Sequence, residues 1–255
     1  MRWLSTRRAR GFTLTELAVV VAIIGFLLAT AMYTLSAQTE QRNFEETRRR
    51  LEAARELLLG FAIVNGRLPC PATAASAGDE AITTAPNCDT AYGGFLPARA
   101  IGFQVVDNGG FAIDPWGARI RYAVSSVTPA GCAGSSTAPH FTNSTNLRTN
   151  GITCQPNDLV VCRSATGITA ITCGPAANAL TNQTTVVAVV FSVGKNSASI
   201  GTGGIDEAAN VNGDRVFVSH PQAPAGATNG EFDDHLLWIT ANELYGKLIA
   251  AGVLP

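Results

Sequence analysis

The chain has 255 residues, enough to bury one or two substantial cores. Charged residues make up 15% of it, below the roughly 25% of ordinary soluble domains, and a net charge of −1 leaves no basic footprint for nucleic acid. The balance conceals an asymmetry: Arg2, Arg7, Arg8 and Arg10 all fall in the first ten residues, and with them set aside 14 basic residues face 19 acidic ones.

Behind this basic start, Leu17–Ala29 carries no charged or strongly polar side chain. Taken from Phe12 to Leu35, the run is long enough at about 1.5 Å per residue for a tilted membrane-spanning helix. The arginines before it favour a cytoplasmic amino terminus and an exported remainder. A secretory signal peptide competes, with Ala29-Thr30-Ala31 as its small-residue site and a soluble exported product beginning at Met32. That alternative leaves Glu16 unexplained. An acid at the front of an apolar segment costs insertion free energy, and intramembrane acids generally have a partner.

Gly11-Phe12-Thr13-Leu14-Thr15-Glu16-Leu17, with the basic leader before it and the apolar run after it, resembles the cleavage and methylation motif of type IV pilins and type II secretion pseudopilins. The resemblance implies a leader over 1–11, cleavage between Gly11 and Phe12 by a prepilin peptidase, and N-methylation of Phe12. It implies a bacterial inner-membrane protein with a periplasmic head. Its partners would be other pilin or pseudopilin subunits, the inner-membrane assembly platform and the lipid bilayer, and its destination a type II secretion pseudopilus or type IV pilus. Cleavage exposes an amine on Phe12, which the Glu16 carboxylate of a neighbouring subunit can meet. Both charges are costly alone in a low dielectric and attract when paired, so the pair can fix axial register.

Between Ser36 and Val64 there is no proline, so the helix is expected to continue over 36–64. Phe44, Leu51, Ala54, Leu58 and Phe61 recur close to a heptad and share one stripe. Glu45–Arg49 and Glu46–Arg50 stand at i,i+4 on the other face. Gly25 offers a place for the membrane half to bend, and Asn65-Gly66 with Pro69 and Pro71 ends the helix.

The head, 65–255, reads as strands separated by loops. Ala118–Val124, Thr185–Val193, Arg215–Ser219 and His235–Thr240 are the strand candidates, and the apolar, β-branched Thr185–Val193 is the buried one. Thr240-Ala241-Asn242-Glu243 has capping-box spacing for a final helix with Leu244, Tyr245, Leu248 and Ile249 on its apolar face. The stretch 128–182 is a loop insertion, with short strands expected at Leu159–Cys162 and Ile168–Cys173. Six cysteines, Cys70, Cys88, Cys132, Cys154, Cys162 and Cys173, lie in the exported part without zinc spacing, which suits up to three disulfides. Cys70–Cys88 is the local pair, and the other four staple 132–173. The expected fold class is α+β: a long N-terminal membrane-spanning helix packed on an antiparallel head sheet, as in the pilin fold, with the disulfide-rich insertion and a short C-terminal helix.

Asp114-Pro115-Trp116-Gly117, with Tyr122 beyond it, resembles a turn and strand of the major type II pseudopilin. Physically it is a turn, with Trp116 as a core anchor. Ser192-Val193-Gly194-Lys195-Asn196 and the glycine-rich residues after it resemble that protein's calcium loop, although Asn196 stands where an aspartate is expected. Asp206, Asp214, Asp233 and Asp234 are the candidate ligands, with Glu207, Asn210 and Asn212 as further oxygen donors. The competing reading is a solvated acidic loop.

His140, His220 and His235 fall in no nucleophile or metal motif, and no phosphate loop occurs, so the head is read as non-enzymatic. The head of about 190 residues is larger than that of a major pseudopilin, which suggests a minor subunit. A filament-tip adhesin or substrate receptor is the alternative. Exposed aromatic side chains on the insertion, where Phe141 stands, would favour it.

Overall fold

The computed structural model describes residues 13–84, 87–126, 139–197 and 203–254, without the side chains of 30–37 and 83–84. The leader, Gly11, Phe12, Cys132 and residues 198–202 of the glycine-rich loop lie outside the described residues. The chain divides into two compact units, Met1–Glu45 and Glu46–Pro255.

Helix α1 (Leu14–Asn65) is continuous past Gly25 and Gly60. In the first unit its apolar side chains are exposed all round, from Leu14 through Leu17, Val21 and Ile24 to Leu28. A helix apolar on every face needs a non-aqueous or protein environment. Among the described residues no helix is long and apolar enough to cross a membrane. The expected span over 12–35 draws on Phe12 and on the side chains of 30–35, which fall outside the description.

In the second unit α1 turns amphipathic. Leu51, Ala54, Leu58, Leu59 and Ala62 are buried, while Phe61 is only half-buried. On the outer face Glu46–Arg50 and Arg48–Glu52 close at 3.0 Å, each worth a few tenths of a kcal/mol. The expected Glu45–Arg49 pair is not formed; Glu45 accepts instead from Gln41 at 3.4 Å. The helix stops where expected. Gly66 has φ +67°, the left-handed region that favours glycine, and its N–H caps the Ala62 carbonyl at 2.8 Å.

Beyond the helix, Arg67 grips Glu80 through both guanidinium nitrogens at 2.7 and 2.8 Å, and Cys70 is bonded to Cys88. A small antiparallel pair, β1 (Ile82–Thr84) and β2 (Asn87–Cys88), sits beside that disulfide. Then come β3 (Gly94–Phe95), the short α2 (Ala98–Ile101) and β4 (Arg121–Val124). Strand β4 is shorter than the predicted Ala118–Val124 because Ala118 and Arg119 pair back across the turn at Asp114 and Ile113.

In the insertion, α3 (Ser144–Asn150) is capped by Asn143, whose Oδ1 accepts from the N–H of Thr145 and Asn146. It precedes β5 (Val160–Cys162), the shortened form of the strand expected at Leu159–Cys162. Cys162 is bonded to Cys173, and Cys154 is disulfide-bonded as well. The strand expected at Ile168–Cys173 does not form: the Thr169 N–H donates to the Thr172 carbonyl, closing a turn inside the disulfide loop. Next are β6 (Val186–Ser192), α4 (Ile205–Val211), β7 (Val216–Val218), β8 (His235–Thr240) and α5 (Ala241–Ala250). Strand β8 passes into α5 without a loop. Thr240 Oγ1 accepts from the Glu243 N–H at 3.2 Å, and the Glu243 carboxylate turns to Arg55 at 2.5 Å. Leu244, Tyr245 and Leu248 are buried as predicted, whereas Ile249 is exposed.

The main sheet is antiparallel in the order β3-β4-β6-β8, with Tyr122 opposite Val190 and Phe191 opposite Leu236. Strand β6 is buried on both faces. Val187, Ala188 and Val190 join Tyr122 and Val124 against α1 and α5, while Val189 and Phe191 face Leu159, Val161 and Phe217. Two-sided burial is why its sequence reads as an unbroken apolar run. Strand β7 stays out of this sheet and pairs in parallel with β5, Val160 opposite Val216.

Candidate functional site

Two places in the chain gather the residues singled out by the sequence. The first is the start of α1. The Glu16 Oε2 accepts from the Thr13 N–H at 2.9 Å and from the Thr13 hydroxyl at 2.8 Å, while Thr13 Oγ1 accepts from the Glu16 N–H at 3.2 Å. This is a reciprocal capping box, which satisfies helix-end N–H groups that would otherwise lack a partner. Both bonds that Glu16 accepts use Oε2, and among the described residues Glu16 Oε1 has no hydrogen-bond partner. The sequence supplied the charge argument for Glu16 but not its capping role, which the Thr-x-x-Glu spacing could have revealed.

The second place is an acidic cluster in the head. Glu207 from α4, and Asp233 and Asp234 from the segment entering β8, each bring a carboxylate oxygen within 4.8 Å of the others. All three are buried, at 2%, 3% and 6% exposure. Asn196 donates its Nδ2 to both Glu207 oxygens at 2.8 Å, and the Asp233 N–H donates to Glu207 at 3.1 Å. Asp233 Oδ2 accepts from the Lys195 N–H, and Asp234 Oδ2 from Asn210 at 2.7 Å. Asp233 Oδ1 is buried with no hydrogen-bond partner. Burial, reinforced by the Glu207 charge, pushes Asp233 up to about 6. Burial pushes Asp234 up to about 8, with Glu207 and Asp233 adding to it. Two glycines make the room. A Cβ on Gly194 would lie 2.0 Å from Asp233 Oδ1, and one on Gly203 would lie 2.0 Å from Glu207 Oε2.

Of the four candidate ligands the structure brings Asp233 and Asp234 together, with Glu207 beside them, and places Asp206 and Asp214 elsewhere. Asp206 and Glu207 are successive residues of a helix, so they point about 100° apart. Glu207 faces the cluster, whereas Asp206 faces away and accepts from the Ala165 N–H, His220 Nε2 and Asn229 Nδ2. Asp214 closes a local turn with Asn212 and the Val216 N–H. Glu207, Asp233 and Asp234 are buried, unlike the acids of a solvated loop, whereas Asp214 is half-buried.

Other expectations move too. Trp116 is half-buried and outside the core clusters; the turn is anchored by Asp114, 1% exposed, which accepts from the N–H groups of Trp116 and Ala118 and from the Ser192 hydroxyl. Phe141 is fully buried in the main core, so it is not an exposed aromatic on the insertion. At Ser164–Asp206–His220 the acid lies between hydroxyl and imidazole, and the other ring nitrogen, Nδ1, faces the Pro221 carbonyl at 2.7 Å. The imidazole does not touch that hydroxyl, so the trio lacks the nucleophile–imidazole–acid order of a nucleophilic triad.

No curated protein and no solved structure matches the chain. Residues 6–32, 27 of the 255, match the family model of the prokaryotic N-terminal methylation motif. The chain therefore carries a motif consistent with a type IV pilin-like or pseudopilin-like protein.

Proposed function

We propose that the chain is a structural prepilin-like subunit of a type II secretion pseudopilus or type IV pilus. It is cut between Gly11 and Phe12 and methylated on Phe12. Residues 12–35 hold it in the inner membrane, 36–64 continue the helix, and 65–255 form the periplasmic head. The observation that carries this reading is the methylation motif at 6–32. Two others support it: the apolar side chains from Leu14 to Leu28 at the start of α1 are exposed to solvent, and Glu16 Oε1, which has no hydrogen bond among the described residues, can receive the Phe12 amine of a neighbouring subunit. The test is the mature amino terminus after co-expression with a prepilin peptidase. Mass spectrometry is expected to show a chain beginning with N-methylated Phe12. A chain beginning at Met32, or one left uncut, overturns the reading.

The acidic cluster fits a calcium ion on the evidence of the orphaned Asp233 Oδ1 and of three buried carboxylates with too few donors. Glu207, Asp233 and Asp234 would hold it. Such an ion supplies positive charge and ties α4 to the entry of β8. Millimolar calcium is expected to raise the unfolding temperature of the full chain in detergent, and Glu207→Gln to abolish the rise. No shift, or an equal shift with magnesium, counts against the site.

A further inference from the structure

Strand β8 is one edge of the main sheet, and the direction of its backbone groups follows from its neighbours. The Ser125 N–H donates to the Val187 carbonyl at 2.8 Å. Bonded pairs recur at every second residue of an antiparallel ladder, so Val187, Val189 and Phe191 of β6 bond on the β4 side. Ala188, Val190 and Ser192 are left to bond β8, where they stand opposite Ile239, Leu237 and His235. Leu236 and Trp238 therefore turn both their N–H and their C=O away from the sheet, and Thr240 its N–H. Among the described residues none of these outward groups has a hydrogen-bond partner. The other edge is closed, since Phe95 of β3 exchanges both bonds with Ala72 at 2.8 Å. Edge strands are ordinarily guarded by lysine, proline or a bulge. His235–Thr240 contains neither residue, and the register shift of this ladder falls at Val186–Ala188 of β6.

The two sides of this edge differ. Leu237 and Ile239 lie on the face packed by α1 and α5, Leu236 and Trp238 on the face over Phe217, and Trp238 is only half-buried. Helix α1 runs beside the strand: the charge of Arg48 is felt at His235, at its start, and Arg55 reaches Glu243 just past its end. Between them the Arg48–Glu52 pair is exposed. We propose that the outer edge of β8 receives an extended segment of an unlike exported protein as a fifth strand, with apolar side chains beside Trp238 and polar ones toward Arg48 and Glu52. An unpaired row of alternating N–H and C=O groups is complementary to another extended backbone, and side chains on alternate positions then select which one. A second copy of this chain offers β8 again. An antiparallel β8 pair has its two-fold axis normal to the sheet, which points the two α1 helices in opposite directions. Two chains held in one membrane cannot be so related, a step that rests on the anchoring proposed above.

Hydrogen exchange on the full chain in detergent micelles, read residue by residue by fragmentation mass spectrometry, tests this with a lysine-capped synthetic peptide of about nine residues that alternates valine and threonine. In the free chain the amides of Leu236 and Trp238 are expected to exchange at least about tenfold faster than those of Leu237 and Ile239. Millimolar peptide is expected to slow the outward pair at least about fivefold and to leave the inward pair unchanged. Trp238→Thr keeps the outward N–H and is expected to retain the protection. Trp238→Pro removes that N–H at an edge position where proline is tolerated, and is expected to lose the peptide while Leu237 and Ile239 stay slow. No protection by the peptide, protection spread over the whole head, or outward amides already slow in the free chain each overturns the proposal, the last with a concentration-dependent mass making a second copy the occupant. None of these outcomes alters the mature amino terminus, so this proposal and the prepilin reading fail separately.

Discussion

Asp114 is the residue on which the joint between β4 and β6 turns, and its replacement by alanine and by asparagine should have separable costs. The carboxylate is 1% exposed. Oδ1 accepts from the Trp116 N–H at 3.0 Å and the Ala118 N–H at 2.8 Å, and Oδ2 from the Ser192 hydroxyl at 2.6 Å. Asp114→Ala removes all three acceptors. Water can reach the half-buried Trp116 N–H, but the Ala118 N–H and the Ser192 hydroxyl are left inside, at about 1–3 kcal/mol each. A total near 3 kcal/mol is expected. Asp114→Asn can keep Oδ1 toward the two N–H groups while Nδ2 donates to Ser192 Oγ, leaving one hydroxyl proton to find a new partner. It also removes a charge that burial disfavours, for burial raises the Asp114 carboxyl above its ordinary range. Its cost should be about 1 kcal/mol or less. Urea unfolding of the full chain in detergent micelles, followed by far-ultraviolet circular dichroism, gives both values. If the asparagine variant is as damaged as the alanine variant, the charge itself holds the turn and this reasoning fails.

Glu16→Gln retains the acceptor for the Thr13 N–H but not the charge, whereas Thr13→Ala retains the charge but not the cap. Incorporation into sheared filaments should fall at least about tenfold for Glu16→Gln and much less for Thr13→Ala; equal incorporation of Glu16→Gln and the parent refutes the charge pairing. Replacing Cys162 and Cys173 by serine opens a loop of separation 11 and should cost about 3 kcal/mol in urea unfolding, with loss confined by hydrogen exchange to β5 and β7; unchanged stability contradicts it. For His140 the folded ring titrates near 4 and the reference ring at 6.5. Stability is therefore whole above pH 6.5 and falls by about 3 kcal/mol as pH drops to 4, since the unfolded state takes up the proton first. Urea midpoints across that range should flatten in His140→Gln, and a flat profile in the parent refutes the burial argument.

The parts of the fold that were legible in the sequence are those with one dominant local cause. The absence of proline over 36–64 and the Asn65-Gly66 stop define α1 to within a residue of its end. The two-sided apolar run gives β6, and Thr240 gives the start of α5. What escaped was set by distant partners. Nothing local marks β5 and β7 as a parallel pair, because their register is fixed by the packing of Val161 and Phe217 under the main sheet. The acidic cluster was half legible. Asp233 and Asp234 were identified, but Ile205–Val211 was not recognised as a helix, and without its phase Asp206 and Glu207 cannot be told apart. Trp116 misled for a related reason. Size made it look like the anchor, while the three donors that make Asp114 the anchor come from the turn's own backbone and from a strand 78 residues away.

The order of the strands bears on how the head is assembled in time. Tyr122 meets Val190 and Phe191 meets Leu236, so the main sheet closes only when β8 has arrived. Pairings across such distances are slow, since the loop must be closed before any contact rewards it. Cys70 and Cys88, 18 residues apart, and Cys162 and Cys173, 11 apart, face far shorter searches. Encounter of these pairs can therefore run ahead of sheet formation, so that each cysteine stands near its partner before the β6 strand finds its neighbours.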